Sequence, residues 1–183
     1  SDSNKEMDNF MVNNGFFKTQ MPANNVVRGA KWDTQEEFMQ SISKRSRAHF
    51  RKDVIKNINE FDIEIVSDFT EEELEKYYSL YLNVKNKSLQ LNTYKLPKKV
   101  FRNFLISDDW DVLVLKEKNN KVASVCFCHK GIEIYTFLVL GLDYTSNSMF
   151  NSYRQAMYQC FVRARSLGYE NINMGYSSDF EKK

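Results

Sequence analysis

Six cations crowd residues 44–56: Lys44, Arg45, Arg47, Arg51, Lys52 and Lys56, with Asp53 the only acid among them. At helical spacing Lys44, Arg45, Arg51, Lys52 and Lys56 share the side opposite Phe50, Val54 and Phe61, and Arg47 falls at the boundary. A one-sided cluster of this kind is chemistry for anions: RNA phosphates, a phosphorylated carrier or an anionic lipid headgroup. The same pattern also describes a solvated amphipathic face, with Lys56 placed well for a helix C-terminus. Total charge does not decide between them. Lys+Arg of 26 against Asp+Glu of 24 leaves only +2, so the argument lies in the clustering.

The other reactive side chains point to less. Cys126 and Cys128 share one face of a strand and His129 follows, but a structural zinc needs four ligands. Only His49 and Cys160 remain, at no metal-binding spacing. The cysteines therefore read as small core residues, and no metal is expected. Three cysteines without CxxC spacing suggest a reduced, cytoplasmic setting rather than a disulfide framework. Neither histidine sits in a motif that places it against a nucleophile. G-x-S-x-G, P-loop and G-x-G-x-x-G motifs are absent, which removes the hydrolase, nucleotide-binding and Rossmann readings that rest on them. A fourth candidate is the strand-to-helix junction Leu140-Gly141-Leu142-Asp143-Tyr144. There Gly141 would permit close backbone approach and the next helix would offer free N–H groups; a plain loop with a capping Asp or Ser explains it equally. A fifth is the tail from Gly175 to Lys183, which by composition alone is a charged terminus.

These residues must be positioned by regular elements. The chain of 183 residues, 42% hydrophobic, suffices for one domain with a sizeable core. Six Gly and two Pro exclude collagen-like and low-complexity chains. No apolar stretch is long enough for a membrane-spanning helix, and the polar N-terminus is neither a signal nor a transit peptide. Residues 1–33 read as an irregular segment, of the kind that ends a preceding domain, with short strands at Phe16-Phe17 and Val26-Val27-Arg28. Thr34 and Glu37 form a capping box that opens one long helix to about Asn59. Phe61–Ser67 alternates as a strand. Thr70 and Glu73 form a second capping box, with Phe69 and Leu74 as its hydrophobic staple, and Leu74, Tyr77, Tyr78, Tyr81 and Val84 give the helical stripe. Pro97 opens another helix, ending near Ser107. Strands at 111–117, 122–129 and 132–140 form a meander. Ser146-Asn147-Ser148 would cap a helix that stops at Gly168, and 171–176 is a last strand. The strand–helix–strand unit at the end should place its two strands parallel.

This order, from Asp62 onward, resembles the GNAT acyltransferase fold. Four stretches resemble its FemAB-like branch: residues 43–52 (SKRSRAHFRK), 135–143 (YTFLVLGLD), 164–168 (ARSLG), and Met174-Gly175 followed by Lys182. The resemblance covers residues from about 30 to 183. It implies an α/β (α+β) architecture, a GNAT-like mixed sheet with antiparallel meander and flanking helices. Residues 34–60 would be the long basic helix and 61–183 the GNAT-like domain, truncated at its C-terminal side because the family order continues with two more strands. The implied activity is transfer of an acyl or aminoacyl group to an amine, which asks mainly for positioning and oxyanion stabilisation. Lys182 is the implied catalytic cation, with Lys183 the alternative. Gly141, Asp143, Tyr135 and Gly175 are the expected substrate contacts, and Lys44, Arg45, Arg47, Arg51, Lys52 and Lys56 the anion-binding set. Coenzyme A-binding members carry R/Q-x-x-G-x-G/A where this chain reads Leu142-Asp143-Tyr144-Thr145-Ser146-Asn147. That departure argues against coenzyme A as donor, and no cofactor is expected. Two other functions stay open: a non-catalytic GNAT-like module that binds RNA or another anionic partner through the basic helix, and a structural domain whose extra Tyr and Phe line a protein interface.

Overall fold

The structure is a computed structural model and describes residues 5–17, 24–87 and 94–175. Its elements are α1 (Lys5–Asn13), β1 (Val26–Val27), α2 (Gln35–Ser41), α3 (Lys44–Asp53), a 3-10 turn (Ile55–Glu60), β2 (Phe61–Ile65), α4 (Glu71–Lys87), α5 (Lys98–Ile106), β3 (Trp110–Glu117), β4 (Val122–Lys130), β5 (Ile134–Leu142), α6 (Tyr144–Phe150), α7 (Ser152–Ser166) and β6 (Asn171–Asn173). Six strands form one sheet in the order β1-β6-β5-β4-β3-β2. All neighbours are antiparallel except β5 and β6, which run parallel and are joined through α6 and α7.

Both faces of this sheet are covered, so the central strands are apolar on both sides. Val112, Val114, Val125 and Phe127 face Leu74, Tyr77, Leu80 and Tyr81 of α4 and Phe101 and Leu105 of α5. Leu113, Leu115, Cys126, Cys128 and Tyr135 face Ala156, Met157, Cys160 and Ala164 of α7. Each fully buried large side chain contributes about 1.5–3 kcal/mol. A third cluster forms outside α7, where Phe50 and Val54 pack on Tyr158. The three cysteines are buried core residues, with the Cys128 and Cys160 sulfurs 3.6 Å apart. Burial pushes the Cys128 thiol well above its ordinary pKa.

Several expectations are corrected. The single helix over 34–59 is instead α2, α3 and the 3-10 turn. Ile42 adopts an extended conformation, and the Ser43 hydroxyl accepts from Ser46 N–H to start a new helix. Serine side chains compete for backbone bonds in this way. The N-terminal segment is not wholly irregular, because α1 occupies 5–13 and ends at Gly15, φ +86°. Phe16-Phe17 is no strand, whereas Val26-Val27 is one and pairs with β6. The helix after the meander starts earlier and is broken: Asp143 caps α6, and Asn151 at φ 54° separates it from α7. Both capping boxes form as read, with Glu37 N–H on Thr34 Oγ1 and Glu73 N–H on Thr70 Oγ1, each 3.2 Å.

Candidate functional site

β5 is the strand on which the site depends. Its pairing with β6 covers Ile134↔Asn171, Tyr135↔Ile172 and Thr136↔Asn173, then stops, while β5 continues to Leu142. Met174 and Gly175 leave instead toward β1: Met174 N–H donates to the Asn25 carbonyl at 2.8 Å, and Asn25 N–H to the Gly175 carbonyl at 2.9 Å. Among the described residues, no strand pairs with the edge of β5 beyond Thr136. The parallel ladder thus ends at Thr136 and Asn173. A β-bulge sits at the point of departure. Cys128 pairs with Phe137 and Phe127 with Val139, so Leu138 is the extra residue, outside the ladder and 54% exposed. Farther along, Asp143 N–H donates to the Ala123 carbonyl at 2.9 Å. Antiparallel alternation then aims the amides of Leu140 and Leu142 away from β4, toward the open edge.

The paired half of β5 is locked by a buried ionic network. Tyr135 is fully buried, and its hydroxyl donates to Asp111 Oδ2 at 3.2 Å. Arg163 grips the same carboxylate with two bonds, Nε to Oδ2 at 2.8 Å and Nη2 to Oδ1 at 3.2 Å, and Lys130 Nζ lies 3.5 Å away. Burial raises the Asp111 pKa, but Arg163 and then Lys130 outweigh it and hold the carboxyl below its usual value. Burial, with the thiols of Cys128 and Cys160 adding to it, pushes the Tyr135 hydroxyl far above the ordinary phenol range. The structure places Tyr135 in the core, where a substrate does not reach.

The junction residues are also engaged. A Cβ on Gly141 would lie 2.7 Å from Val125 Cγ1 and 2.8 Å from both Leu80 Cβ and Tyr81 N. The glycine lets α4 press onto the sheet, and its bare side faces that helix. Asp143 Oδ1 accepts from Ser146 N–H at 2.9 Å and Oδ2 pairs with Lys121 at 3.1 Å. Burial raises its pKa, but the capping bond from Ser146 and the lysine together hold it below the usual carboxylate value. The start of α6 is therefore filled by the chain's own carboxylate. Ser146 donates to Glu117 and accepts from Lys121 at 3.1 Å, a hydroxyl beside an acid and an amine. It is fully buried, which removes it as a nucleophile. Gly175, at φ +72°, is held by Asn173 Oδ1, which accepts its N–H at 2.8 Å.

Lys44, Arg45, Arg51, Lys52 and Lys56 are exposed and have no ion-pair partner among the described residues. Arg47 differs: its Nη1 donates to the Ile42 carbonyl at 2.9 Å and the Met39 carbonyl at 3.2 Å, closing the end of α2. Asp53 pairs with Arg154. Lys182 and Lys183 lie outside the described residues. The Leu138 bulge has no signature in the sequence, because the all-apolar run Phe137–Leu140 carries no mark of an inserted residue. No helix among the described residues is long and apolar enough to cross a membrane.

No family model and no curated protein matches the chain. Solved structures do. L-PGS from Bacillus licheniformis superposes with a TM-score of 0.60 at 12% identity, over 96% of this chain and 52% of that one. The C-terminal domain (DUF2156) of an Agrobacterium fabrum protein assigned as a lysylphosphatidylglycerol synthetase gives 0.54 at 13% identity, over 93% and 51%. A conserved protein from Bacteroides thetaiotaomicron VPI-5482 gives 0.53 at 13%, over 88% and 53%. The chain spans about half the length of these structures. The likeness establishes the fold: a GNAT-like mixed sheet with antiparallel meander and flanking helices.

Proposed function

We propose that this chain carries the acyl site of a transferase that moves an acyl or aminoacyl group onto an amine. The observation that carries this reading is the open edge of β5, released by β6 after Thr136 and bulged at Leu138. An acyl transfer needs donors fixed where a tetrahedral oxyanion develops, and backbone amides held by a rigid strand serve without any side-chain triad. The acyl carbonyl would lie at the bulge, and by the family resemblance Lys182 would supply the cation for the oxyanion or a phosphate. The FemAB-like stretches fall on α3, β5 and the end of α7, and the amine acceptor follows from that resemblance. One fold neighbour is the C-terminal domain of a protein assigned as a lysylphosphatidylglycerol synthetase, a name that couples lysine to a phospholipid. The five exposed cations of residues 44–56 would hold a phosphate-bearing substrate in this chain. A donor other than coenzyme A fits the α6 start, which Asp143 and Lys121 already occupy.

Deleting Leu138 is the discriminating test. It restores one-to-one pairing of Phe137 and Val139 with Cys128 and Phe127 while leaving every core side chain on its own face. Transfer from aminoacyl-tRNA, with acetyl-coenzyme A as the comparison donor, onto the amine of a lysine peptide should fall about 100-fold or more, with an unchanged melting temperature. Transfer at the parent rate would remove the β5 edge as the acyl site. The unpaired cations favour one competing reading, a non-catalytic module that binds RNA. Charge reversal at Lys44, Arg51 and Lys52 separates the two: loss of salt-dependent RNA binding, in a chain that never transfers an acyl group, would select the module.

A further inference from the structure

On the far side of β6 from the β5 edge, the segment leaving β1 and helix α2 enclose a groove of about 690 Å³. Three aromatic rings are in its lining: Trp32 meets Phe38 at 4.8 Å and Phe161 at 6.0 Å between ring centroids, both edge-to-face. Arg28 and Lys31 also line it, both exposed and neither with an ion-pair partner among the described residues. The acid in the lining, Glu37, is already committed. Its Oε2 accepts from Asp33 N–H at 2.8 Å and Thr34 N–H at 3.1 Å in the α2 capping box.

The wall that carries Trp32 is fixed in advance. Arg165 donates Nε to the Trp32 carbonyl at 3.0 Å and Nη2 to Asp33 Oδ1 at 2.8 Å, and Ala30 N–H donates to the Glu170 carbonyl at 2.9 Å. Trp32 also borders a second void, of about 210 Å³, with Tyr158 and Val162 of α7. The half-buried indole therefore stands between two spaces without filling either. Small-molecule sites have this character: a few hundred cubic ångströms, mostly apolar and aromatic walls, and a few polar groups to set orientation. Preorganised walls also lose little freedom when a ligand arrives.

We propose that this groove binds a planar-ring organic anion, an aromatic acid or a phosphorylated aromatic ring. The ring packs against Trp32, Phe38 and Phe161, and the anionic group meets Arg28 and Lys31. Aromatic walls favour a ring through offset and edge-on contacts, and two cations without partners supply the charge-assisted bonds. The site is separate from the β5 edge and does not rest on the acyl-transfer reading.

Anilinonaphthalene sulfonate, a ring system with one fixed charge, is the probe. Trp110→Phe leaves Trp32 as the only indole for fluorescence, and calorimetry on the parent chain reads the same binding without that substitution. The probe should bind saturably at one site and quench Trp32. Replacing Arg28 and Lys31 together by Ala should weaken it about tenfold or more. Uncharged phenylnaphthylamine should bind parent and double variant alike. Indole acetate should displace the probe better than decanoate, an anion without a ring. Unchanged Trp32 emission, equal affinity for the probe in the double variant, or equal displacement by decanoate would each overturn the proposal.

Discussion

Over Ile134–Thr136, β5 is paired on both sides; beyond Thr136, among the described residues, it pairs with β4 alone. The first part is held by Tyr135, whose hydroxyl shares the Asp111 carboxylate with Arg163 and Lys130 under α7. The second part lacks a β6 ladder but is pressed by α4, through the bare backbone of Gly141, against β4. Rigidity in the two parts thus has different sources. Side-chain packing from above replaces backbone pairing at the side, and this lets an edge remain open without loosening the strand that presents it.

Asp111→Ala attacks the closed part and should have the largest effect, about 3–5 kcal/mol of lost stability in denaturant titration, because Arg163 and Lys130 keep their charges without a partner. A loss of only a few tenths would mean that the network locks nothing. The pH dependence has a fixed sign. A carboxyl held below its ordinary pKa contributes stability that is whole above about 3.9 and is lost as pH falls through the lower folded value. Acid unfolding of the parent should therefore include a step below about pH 4 that Asp111→Asn lacks. Deleting Leu138 attacks the open part. It should cost about 2.7–4 kcal/mol of transition-state stabilisation and little folding stability, and the gap between these two readouts measures how independent the two parts are. Gly141→Ala drives a Cβ into Val125, Leu80 and Tyr81, at about 1–3 kcal/mol in thermal melts, and displaces α4 from the open part alone. Thr34→Ala, far from both, should cost about 1 kcal/mol through the α2 cap and leave transfer unchanged.

Much of this arrangement is legible in the sequence. Thr34/Glu37 and Thr70/Glu73 announce helix starts because their bonds are local, and the meander follows from the hairpin turns Asn119-Asn120 and Lys130-Gly131 between its strand runs. Less visible were features decided by tertiary contact. Asp143 and Ser146 are equally good caps by type, and Lys121, distant in sequence, accompanies the aspartate that does the capping. The resemblance makes Tyr135 an expected substrate contact, but its hydroxyl satisfies a buried carboxylate that no local pattern reveals. Arg47 belongs to a charge cluster by sequence, but the end of α2 leaves the Met39 and Ile42 carbonyls to accept from its guanidinium and draw it inward. Trp32 stands beside an ordinary capping box, and nothing local shows the space around it.

The inserted Leu138 has a consequence for how such a chain can change. Tyr135 and Phe137 face α7, whereas Val139 packs toward α4 and the bare side of Gly141 also faces it, so odd-numbered residues exchange faces at the bulge. One extra residue anywhere else in β5 would turn the hydrophobic pattern inside out. At position 138 alone, a residue can be gained or lost with the core unaltered. On the acyl-site reading, a single codon separates a sheet that presents a bent backbone to a substrate from one that merely folds, and a lineage could cross that boundary in either direction without rebuilding its interior.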